Sequence, residues 1–374
     1  MNNKLKILVT SVGSLVGRNI LDVLESPLLK RRDMVFLVGT NSLASIPNNY
    51  RCDRCYLVPE THTDDFLIKL NQIVQQEKPD LILSGRDEDT EVIAKYMEKN
   101  KDASYGKTPY GEPRSLKAAL DKWETWQFCQ RNDLNFASSF VLNKSGNISD
   151  LRDFAESMGY PLIAKPIRGF ASKGVYYVRS WKDLKDMSSW DNYIFQEYLG
   201  DGEQLQDYFR KMDNYTPLFA HAPNIFHYSC HTVIFQDGSC DKFFISKNVH
   251  ESGATVGFKR VESEILESLA LSFVKAIYKE GGHGPITIQF RQNKNGIWKA
   301  QEVNMRTNGN TYPRFILGQD DLGLIIRDIM PEADFPVYTN DIKAGQYFVG
   351  KELKSYPIVQ DEINQLKADK VWNR

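Results

Sequence analysis

The chain has 374 residues, 41% of them hydrophobic and 25% charged, with a formal net charge of -1. That length supports two or three domains, each with its own core. The near-neutral charge gives no global field to recruit nucleic acid or an anionic membrane, and no apolar run approaches the roughly 20 residues of a membrane-spanning helix.

In chain order, the first third alternates strand and helix signals. KILVT, MVFLVGT, CYLVP and DLILSG are short β-rich runs. VGSLVGRNILDVLES, FLIKLNQIVQQEK and DEDTEVIAKYMEK carry helical spacing between them. Strands alternating with helices predict a doubly wound, mostly parallel sheet with its ligand crevice at the carboxyl ends of the strands. The N-terminal burst of apolar residues is too short for a signal-peptide core, so it reads as the first strand, and the cytoplasm is the expected compartment.

The register changes near residue 110. After a Pro/Gly break comes a helix rich in aromatic residues, opened by Lys122 in LDKWETWQFCQ. The β-runs SFVLN, PLIAKPI, GVYYVR and NYIFQEYL then mix with the helices SDLRDFAESMG and SWKDLKDM. Residues 228–249 predict two antiparallel strands around a DG turn, ESEILESLALSFVKAIYKEGG predicts an amphipathic helix, and GPITIQFRQNKNGIWKAQEVNMR a hairpin turning at NKNG. ISKNVHESGATVGFKR reads as a polar loop after a strand. The tail beyond about residue 335 has weak periodicity.

Three segments carry chemistry. In YPLIAKPIRGFASKGVYYV a strand delivers Lys165, and Arg168, Gly169, Phe170, Ala171, Ser172, Lys173 and Gly174 form a small-residue turn before a second strand. Glycine lets backbone N–H groups approach a polyphosphate while Lys and Arg neutralise it. The loop is not a Walker A sequence, since no GxxxxGK[ST] precedes a helix; a hairpin with a basic turn reads the same residues equally well. In YIFQEYLGDGEQ an apolar strand ends at Gln196, Glu197, Tyr198 and Leu199, and a turn presents Glu203. Such a passage suits a purine edge and a ribose. In the last hairpin, Glu302, Asn304 and Arg306 share one face by the period of two, with Gln289 on the partner strand. One carboxylate and two amide oxygens suit a hard Mg²⁺ ion bridging phosphates.

Taken together and in order, DK at 121–122, YPLIAKP with its glycine-bearing loop, QEYLxxxE and QF…EVNMR resemble the ATP-grasp superfamily over nearly all of residues 1–330, and within it the carbamoyl-phosphate synthase large-chain type. The resemblance implies a pre-ATP-grasp α/β domain over 1–114, an ATP-grasp domain over 115–335 split into lobes 115–200 and 201–335, and a C-terminal extension over 336–374. It implies an ATP- and magnesium-dependent carboxylate–amine ligase, with manganese as the alternative ion, acting through an acylphosphate. Lys122 and Lys165 would contact phosphates under the 168–174 loop, including Arg168, Gly169, Ser172, Lys173 and Gly174. Gln196, Glu197 and Leu199 would hold adenine, and Glu203 ribose. Glu302, Asn304 and Gln289 would ligate magnesium, and Arg306 would steady the transferring phosphoryl group, making Arg306 and Lys165 the catalytic residues. The loop RGFASKG carries fewer glycines than is usual, and EVNMR replaces the common E-x-N-P-R.

Around this site, Lys247, Asn308 and Arg314 are expected to line the pocket for small-molecule carboxylate and amine substrates. No nucleic-acid or membrane partner is expected, and a homodimer is the default assembly. The rival reading is a non-catalytic nucleotide-binding or scaffold protein that keeps the clamp. A nicotinamide-dependent oxidoreductase fits poorly, because GSLVG lacks the first GxG pair and Gly39-Thr40-Asn41 stands where an acidic ribose partner belongs. Cys52-x-x-Cys55 has no second CxxC, so it is read as flanking an edge strand rather than as a metal site.

Overall fold

The computed structural model describes residues 4–100, 103–169, 172–212, 215–222, 226–352 and 354–374. LKILV forms β1 (Leu5–Val9), and Ser14 caps α1 (Leu15–Leu24) by accepting the Gly17 N–H. There follow β2 (Val35–Asn41), β3 (Arg54–Leu57), α2 (Asp64–Glu77), β4 (Leu81–Leu83) and α3 (Asp87–Lys99). β1 pairs in parallel with β2 and β4, and β2 with β3, so the expected parallel sheet is present. Its strands are apolar on both faces because both are covered: Leu8 and Ile82 meet Phe66 and Leu70 of α2, while Ile7 and Val9 meet Ile20 and Leu21 of α1.

The aromatic-rich stretch is two helices, α4 (Pro113–Leu120) and α5 (Lys122–Arg131), because Asp121 is extended between them (φ -120°, ψ 115°). Its carboxylate then caps α5 by accepting the N–H groups of Trp123 and Glu124 at 3.0 and 3.1 Å. The first lobe comprises β5 (Ser139–Phe140), α6 (Ile148–Met158), β6 (Leu162–Pro166), β7 (Tyr176–Val178), α7 (Trp181–Met187) and β8 (Tyr193–Glu197). Its antiparallel sheet, ordered β5-β8-β6-β7, has its own core around Leu151, Leu162, Val178 and Phe195.

After α8 (Gln206–Lys211), the second lobe runs through β9 (Phe226–Ile234), β10 (Phe244–Glu251), β11 (Ala254–Val261), α9 (Glu264–Lys279), β12 (Gly284–Gln292) and β13 (Trp298–Asn304). The expected polar loop over 247–260 is instead a β-hairpin. Ser252 and Gly253 both have positive φ (49° and 79°), the two-residue turn that matches strand twist, and β10 and β11 pair on either side of it. One face of this antiparallel sheet packs on α9 through Cys230, Ile286, Ile288 and Phe290. By the period of two, the opposite face carries Ser229, Gln289, Glu302 and Asn304 in adjoining strands.

The remaining chain is structural rather than a loose tail. α10 (Thr311–Ile316) and α11 (Asp321–Ile329) return to the N-terminal sheet, where Phe315, Leu322 and Ile326 pack on Ile7 and Leu21. They therefore share a core with residues 1–114, although the expected boundary groups them with the second lobe. β14 (Phe348–Gly350) adds to β11, α12 (Gln360–Asp369) follows, and β15 (Val371–Asn373) pairs antiparallel with β3. That last pairing removes β3 from the sheet edge, so the expectation of an edge strand beside Cys52 and Cys55 does not hold. Both thiols are fully buried over Gly39, where a Cβ would fall 2.6 Å from Cys52 Sγ.

A buried ion pair locks this return. Arg31 and Asp320 have fully buried side chains, with Arg31 Nη1 2.9 Å from Asp320 Oδ1, and the guanidinium lies over Phe315 and Phe335. Asp320 also accepts the N–H groups of Gly323 and Tyr338. Asp320→Ala would leave a guanidinium uncompensated in an aromatic core; it is expected to cost about 3–5 kcal/mol of unfolding free energy, measured by denaturant titration.

Candidate active site

Lys165 leaves the end of β6, and its amine donates to the Gln301 carbonyl at 3.2 Å. That acceptor is available because β13 bulges: Gln289 faces Glu302 and Phe290 faces Ala300, so Gln301 is the extra residue. The Lys165 side chain is 8% exposed. Burial, then the nearby Lys122 charge, push its pKa down to about 7, against an opposing pull from Glu302.

Lys122 opens α5, with its backbone N–H on the Ile167 carbonyl at 3.1 Å and its amine on the Gly169 carbonyl at 3.2 Å. The start of the glycine-bearing loop is thereby folded onto the α5 N-terminus. Arg168 lies 3.0 Å from Glu91 and 3.6 Å from Asp121. Phe170 and Ala171 lie outside the described residues. Beyond them, Ser172 and Gly174 both adopt positive φ (53° and 70°), and Gly174 packs against Pro166 and Tyr193, while Lys173 lies between them in the same turn.

On β13, Asn304 Nδ2 donates to Glu302 Oε1 at 3.2 Å, and Gln289 stands directly across from Glu302. Arg306 Nη2 reaches Asn304 Oδ1 at 3.4 Å and Asp87 of α3 at 2.7 Å. Its Nε is buried without a partner among the described residues. Burial opposes the charge on Arg306, but Asp87 and then Glu302 outweigh it and raise its pKa. Lys122, Arg168, Gly169, Glu302 and Asn304 line one open cleft, with Asp87 on its N-terminal wall. Lys165 joins this group through Gln301, which also lines the cleft.

Other expected residues are placed differently. Gln196 is buried and donates to Ser139 Oγ at 2.9 Å. The Glu197 carboxylate takes Lys299 at 2.6 Å and Asn293 at 3.1 Å, which ties the first lobe to the β12–β13 hairpin. Leu199 is buried, while Glu203 is exposed and opens a short 3₁₀ turn; neither is among the cleft-lining residues. Lys247 is on β10, alternating with Ser246 and Asn248, and its amine sits over the Phe226 ring at 4.2 Å on the opposite face of the sheet. It does not line the cleft. Arg314 is 3% exposed, and its guanidinium is taken by Asp321 at 2.5 Å and Asn308 at 3.0 Å. Burial would raise the Asp321 carboxyl, but Arg314 and then His231 hold it down to about 2. The carboxylate expected on Arg314 is thus one of the chain's own. Asn308 also donates to Thr287 at 2.9 Å, which places it beside the cleft face of β12.

Sequence reasoning did not single out Asp87, the partner of Arg306, or Gln301, the acceptor for Lys165. DEDTEV shows acids in a first helical turn, a common solvated pattern, and no sequence signal announces a β-bulge.

Among the described residues, no group of three or more His, Cys, Asp or Glu side chains gathers to hold a metal. The cleft offers Glu302 with the amides of Asn304 and Gln289. This all-oxygen set fits a hard, partly hydrated cation such as Mg²⁺, which keeps several waters and takes few protein ligands.

No family model matches the chain. Over 142 residues it is 25% identical to human N-acetylaspartylglutamate synthase A, a match covering 35% of this chain and 35% of that protein. The match therefore spans about a third of the curated relative. The L-amino acid ligase of Bacillus licheniformis superposes with a TM-score of 0.62 at 14% identity, covering 90% of this chain and 78% of the ligase. The biotin carboxylase domain of the Hydrogenobacter thermophilus 2-oxoglutarate carboxylase, solved with MgADP and bicarbonate, superposes with a TM-score of 0.64 at 13% identity over 90% of this chain and 72% of that one. The chain has an ATP-grasp fold. The two ATP-grasp lobes are the sheets of β5–β8 and β9–β14, and the cleft described above opens between them and α3. No helix among the described residues is long and apolar enough to cross a membrane.

Proposed function

We propose that the chain is an ATP- and magnesium-dependent ligase that joins a carboxylate to an amine through an acylphosphate. The observation that carries this reading is convergence: Lys122, Arg168, Glu302 and Asn304 line one cleft, with Lys165 and Arg306 hydrogen-bonded into its walls. A passive nucleotide clamp needs phosphate cations and can also hold magnesium, but has no use for a fourth cation, Arg306, set beside them. In support, the H. thermophilus carboxylase domain holds MgADP, the B. licheniformis protein is named an L-amino acid ligase, and the human protein an N-acetylaspartylglutamate synthase.

In the proposed reaction, a carboxylate oxygen attacks the γ-phosphorus of ATP and ADP departs. The amine nitrogen then attacks the acyl carbon, phosphate leaves with the acyl–oxygen electron pair, and the amine loses a proton. Two anions must first be brought into line, so the chain's task is mainly preorganised charge. Lys122, Lys165 and Arg168 offset the triphosphate, and Arg306, steadied by Asp87, faces the transferring group. Glu302, Asn304 and Gln289 would hold magnesium, which would supply positive charge to offset that developing on the transferring phosphate. The side chains of Gln196 and Glu197 are taken by protein partners, so contacts to an adenine ring fall to the backbone of that strand end.

The test is ADP and phosphate release over a panel of acids and amines, with mass detection of the product. Release that needs both an acid and an amine is the expected result. Nucleotide binding with no turnover across the panel would overturn the ligase reading.

A further inference from the structure

Five side chains close a ring of polar contacts beside the loop that follows the metal strand, and the ligase reading gives them no task. By the period of two, Thr287 of β12 shares the cleft face with Gln289, and it stands directly across from Asn304. His231 of β9 stands across from Thr287 on the other side, with its Nδ1 2.8 Å from Thr287 Oγ1. The second ring nitrogen, Nε2, lies 2.9 Å from Asp321 Oδ1, and neither of these two atoms has another partner among the described residues. Asp321 Oδ2 takes Arg314 Nη2 at 2.5 Å, and Arg314 Nη1 donates to Asn308 Oδ1 at 3.0 Å. Asn308 Nδ2 donates to Thr287 Oγ1 at 2.9 Å, which closes the ring.

One charge sets the direction of every contact in it. Burial would raise the Asp321 carboxyl, yet Arg314 and then His231 hold it ionised. A carboxylate only accepts, so the imidazole proton belongs on His231 Nε2 and Nδ1 is left as an acceptor. Thr287 then donates to Nδ1 and accepts from Asn308 Nδ2. That assignment turns Asn308 Oδ1 toward Arg314 and toward the Asn310 N–H at 2.8 Å. Burial, then the Arg314 charge, push the His231 pKa below its ordinary value against the pull of Asp321, so the imidazole stays neutral.

The ring meets the cleft at two places. Asn308 directly follows Thr307, whose carbonyl accepts Arg306 Nη1 at 3.1 Å. Thr287 flanks Asn304, whose Oδ1 accepts Arg306 Nη2 at 3.4 Å. Against these neutral acceptors stands Asp87 of α3, 2.7 Å from the same guanidinium. Hydrogen bonds to a carboxylate are roughly twice as strong as neutral ones, so Asp87 alone would draw Arg306 onto the α3 wall. The neutral acceptors compete only when they are already fixed, because ordering a mobile peptide would cost conformational entropy.

We propose that His231, Asp321, Arg314, Thr287 and Asn308 are positioning residues for phosphoryl transfer: the ring fixes the Thr307 carbonyl and Asn304, and these hold Arg306 over the metal strand rather than against α3. The proposal rests on the ligase reading, and it gives Asn308 and Arg314 a part in the reaction without contact to substrate.

The test compares Thr287→Val, which keeps the branched shape and removes the hydroxyl, with Thr287→Ser, which retains it. With the acid and amine that the substrate panel yields, Thr287→Val is expected to lower kcat for ADP release about tenfold while the KM for ATP stays within about twofold. Thr287→Ser is expected to keep most of the parent rate. In an Arg306→Met background, Thr287→Val is expected to change kcat by less than about twofold, because the residue it acts through is gone. In a crystal structure of Thr287→Val, the guanidinium is expected to leave Thr307 and Asn304 and to remain on Asp87. Asn308→Ala, at the half-buried side of the ring, carries the same expectations should Thr287→Val fail to fold. An unmoved Arg306 in the folded variant, an equal loss of kcat in both backgrounds, or a rise in KM with kcat unchanged would overturn the proposal. Absence of turnover by the parent on every acid and amine pair would count against the ligase reading instead, and the position of Arg306 in the variant crystal then decides this proposal.

Discussion

Glu302→Ala is expected to lower acid- and amine-dependent ADP release by about 10²–10³-fold or more, while changing the unfolding free energy by no more than about 1 kcal/mol. The two halves of this result have separate causes. Glu302 supplies the one carboxylate of the proposed magnesium set, and the Asn304 and Gln289 amides carry no net charge to replace it. Within the fold, however, its side chain is only half-buried and, among the described residues, receives a single hydrogen bond, from Asn304 at 3.2 Å. Its backbone pairing with Gln289 does not depend on the side chain. Glu302→Gln is the sharper control, because it preserves shape and an acceptor for Asn304 while removing the charge. The same loss of turnover in both variants, with the magnesium requirement shifted to higher concentration, would identify charge as the missing quantity. Full turnover in Glu302→Ala would place the metal elsewhere.

The parts of this fold that were legible in the sequence are those written in local periodicity. β1, β2 and β4 are apolar runs bounded by polar turns, and α9 carries an uninterrupted amphipathic repeat from Glu264 to Lys279. The grouping of Glu302, Asn304 and Arg306 follows from the period of two, and their contacts in the fold reflect it. What stayed hidden depends on contacts distant in sequence. β15 is three residues long and has no pattern of its own; it is a strand because β3 offers an open edge. β11 was masked because SKNVHESGATVGFKR is polar on one face and interrupted by Ser252 and Gly253. Those two residues are the turn itself, and their positive φ is the clue that composition alone obscured.

The site was divided in the same way. Lys122 carries no signal in its own helix; it enters the cleft because Asp121 breaks the chain and caps α5, pointing the first turn at Gly169. Arg314 and Lys247 show the opposite failure. Arg314 follows β13 closely in sequence and Lys247 sits in a stretch that reads as a polar loop, yet one is neutralised by Asp321 and the other alternates onto the far face of the sheet. Neither polarity nor position in the chain fixes which face a side chain takes, or whether another residue already satisfies it.

Lys165→Met is expected to separate stability from catalysis. The folded protein holds the Lys165 amine near 7, below its ordinary value of 10.5, chiefly through burial and secondly through Lys122. Between those two values the unfolded chain binds more protons at this site than the folded one. Wild-type stability therefore rises with pH across that window, and the cost of the buried charge is fully present below about pH 7. Methionine has similar length and no charge, so the variant is expected to unfold with a free energy on the order of 1–3 kcal/mol higher than the parent at about pH 6. The gap should narrow towards about pH 10, where the parent lysine is already neutral in the fold. ADP release should fall by about 10²–10³-fold in the same variant, because an arriving triphosphate would recharge lysine but finds nothing to recharge in methionine. That recharging is itself measurable: nucleotide binding to the parent above about pH 7 should take up a proton, seen by calorimetry in buffers of different ionisation enthalpy, and should weaken as pH rises. The methionine variant should show neither effect. A variant less stable than the parent at both ends of the pH range would show that the Gln301 hydrogen bond outweighs the buried charge, and retained turnover would remove Lys165 from the phosphate site.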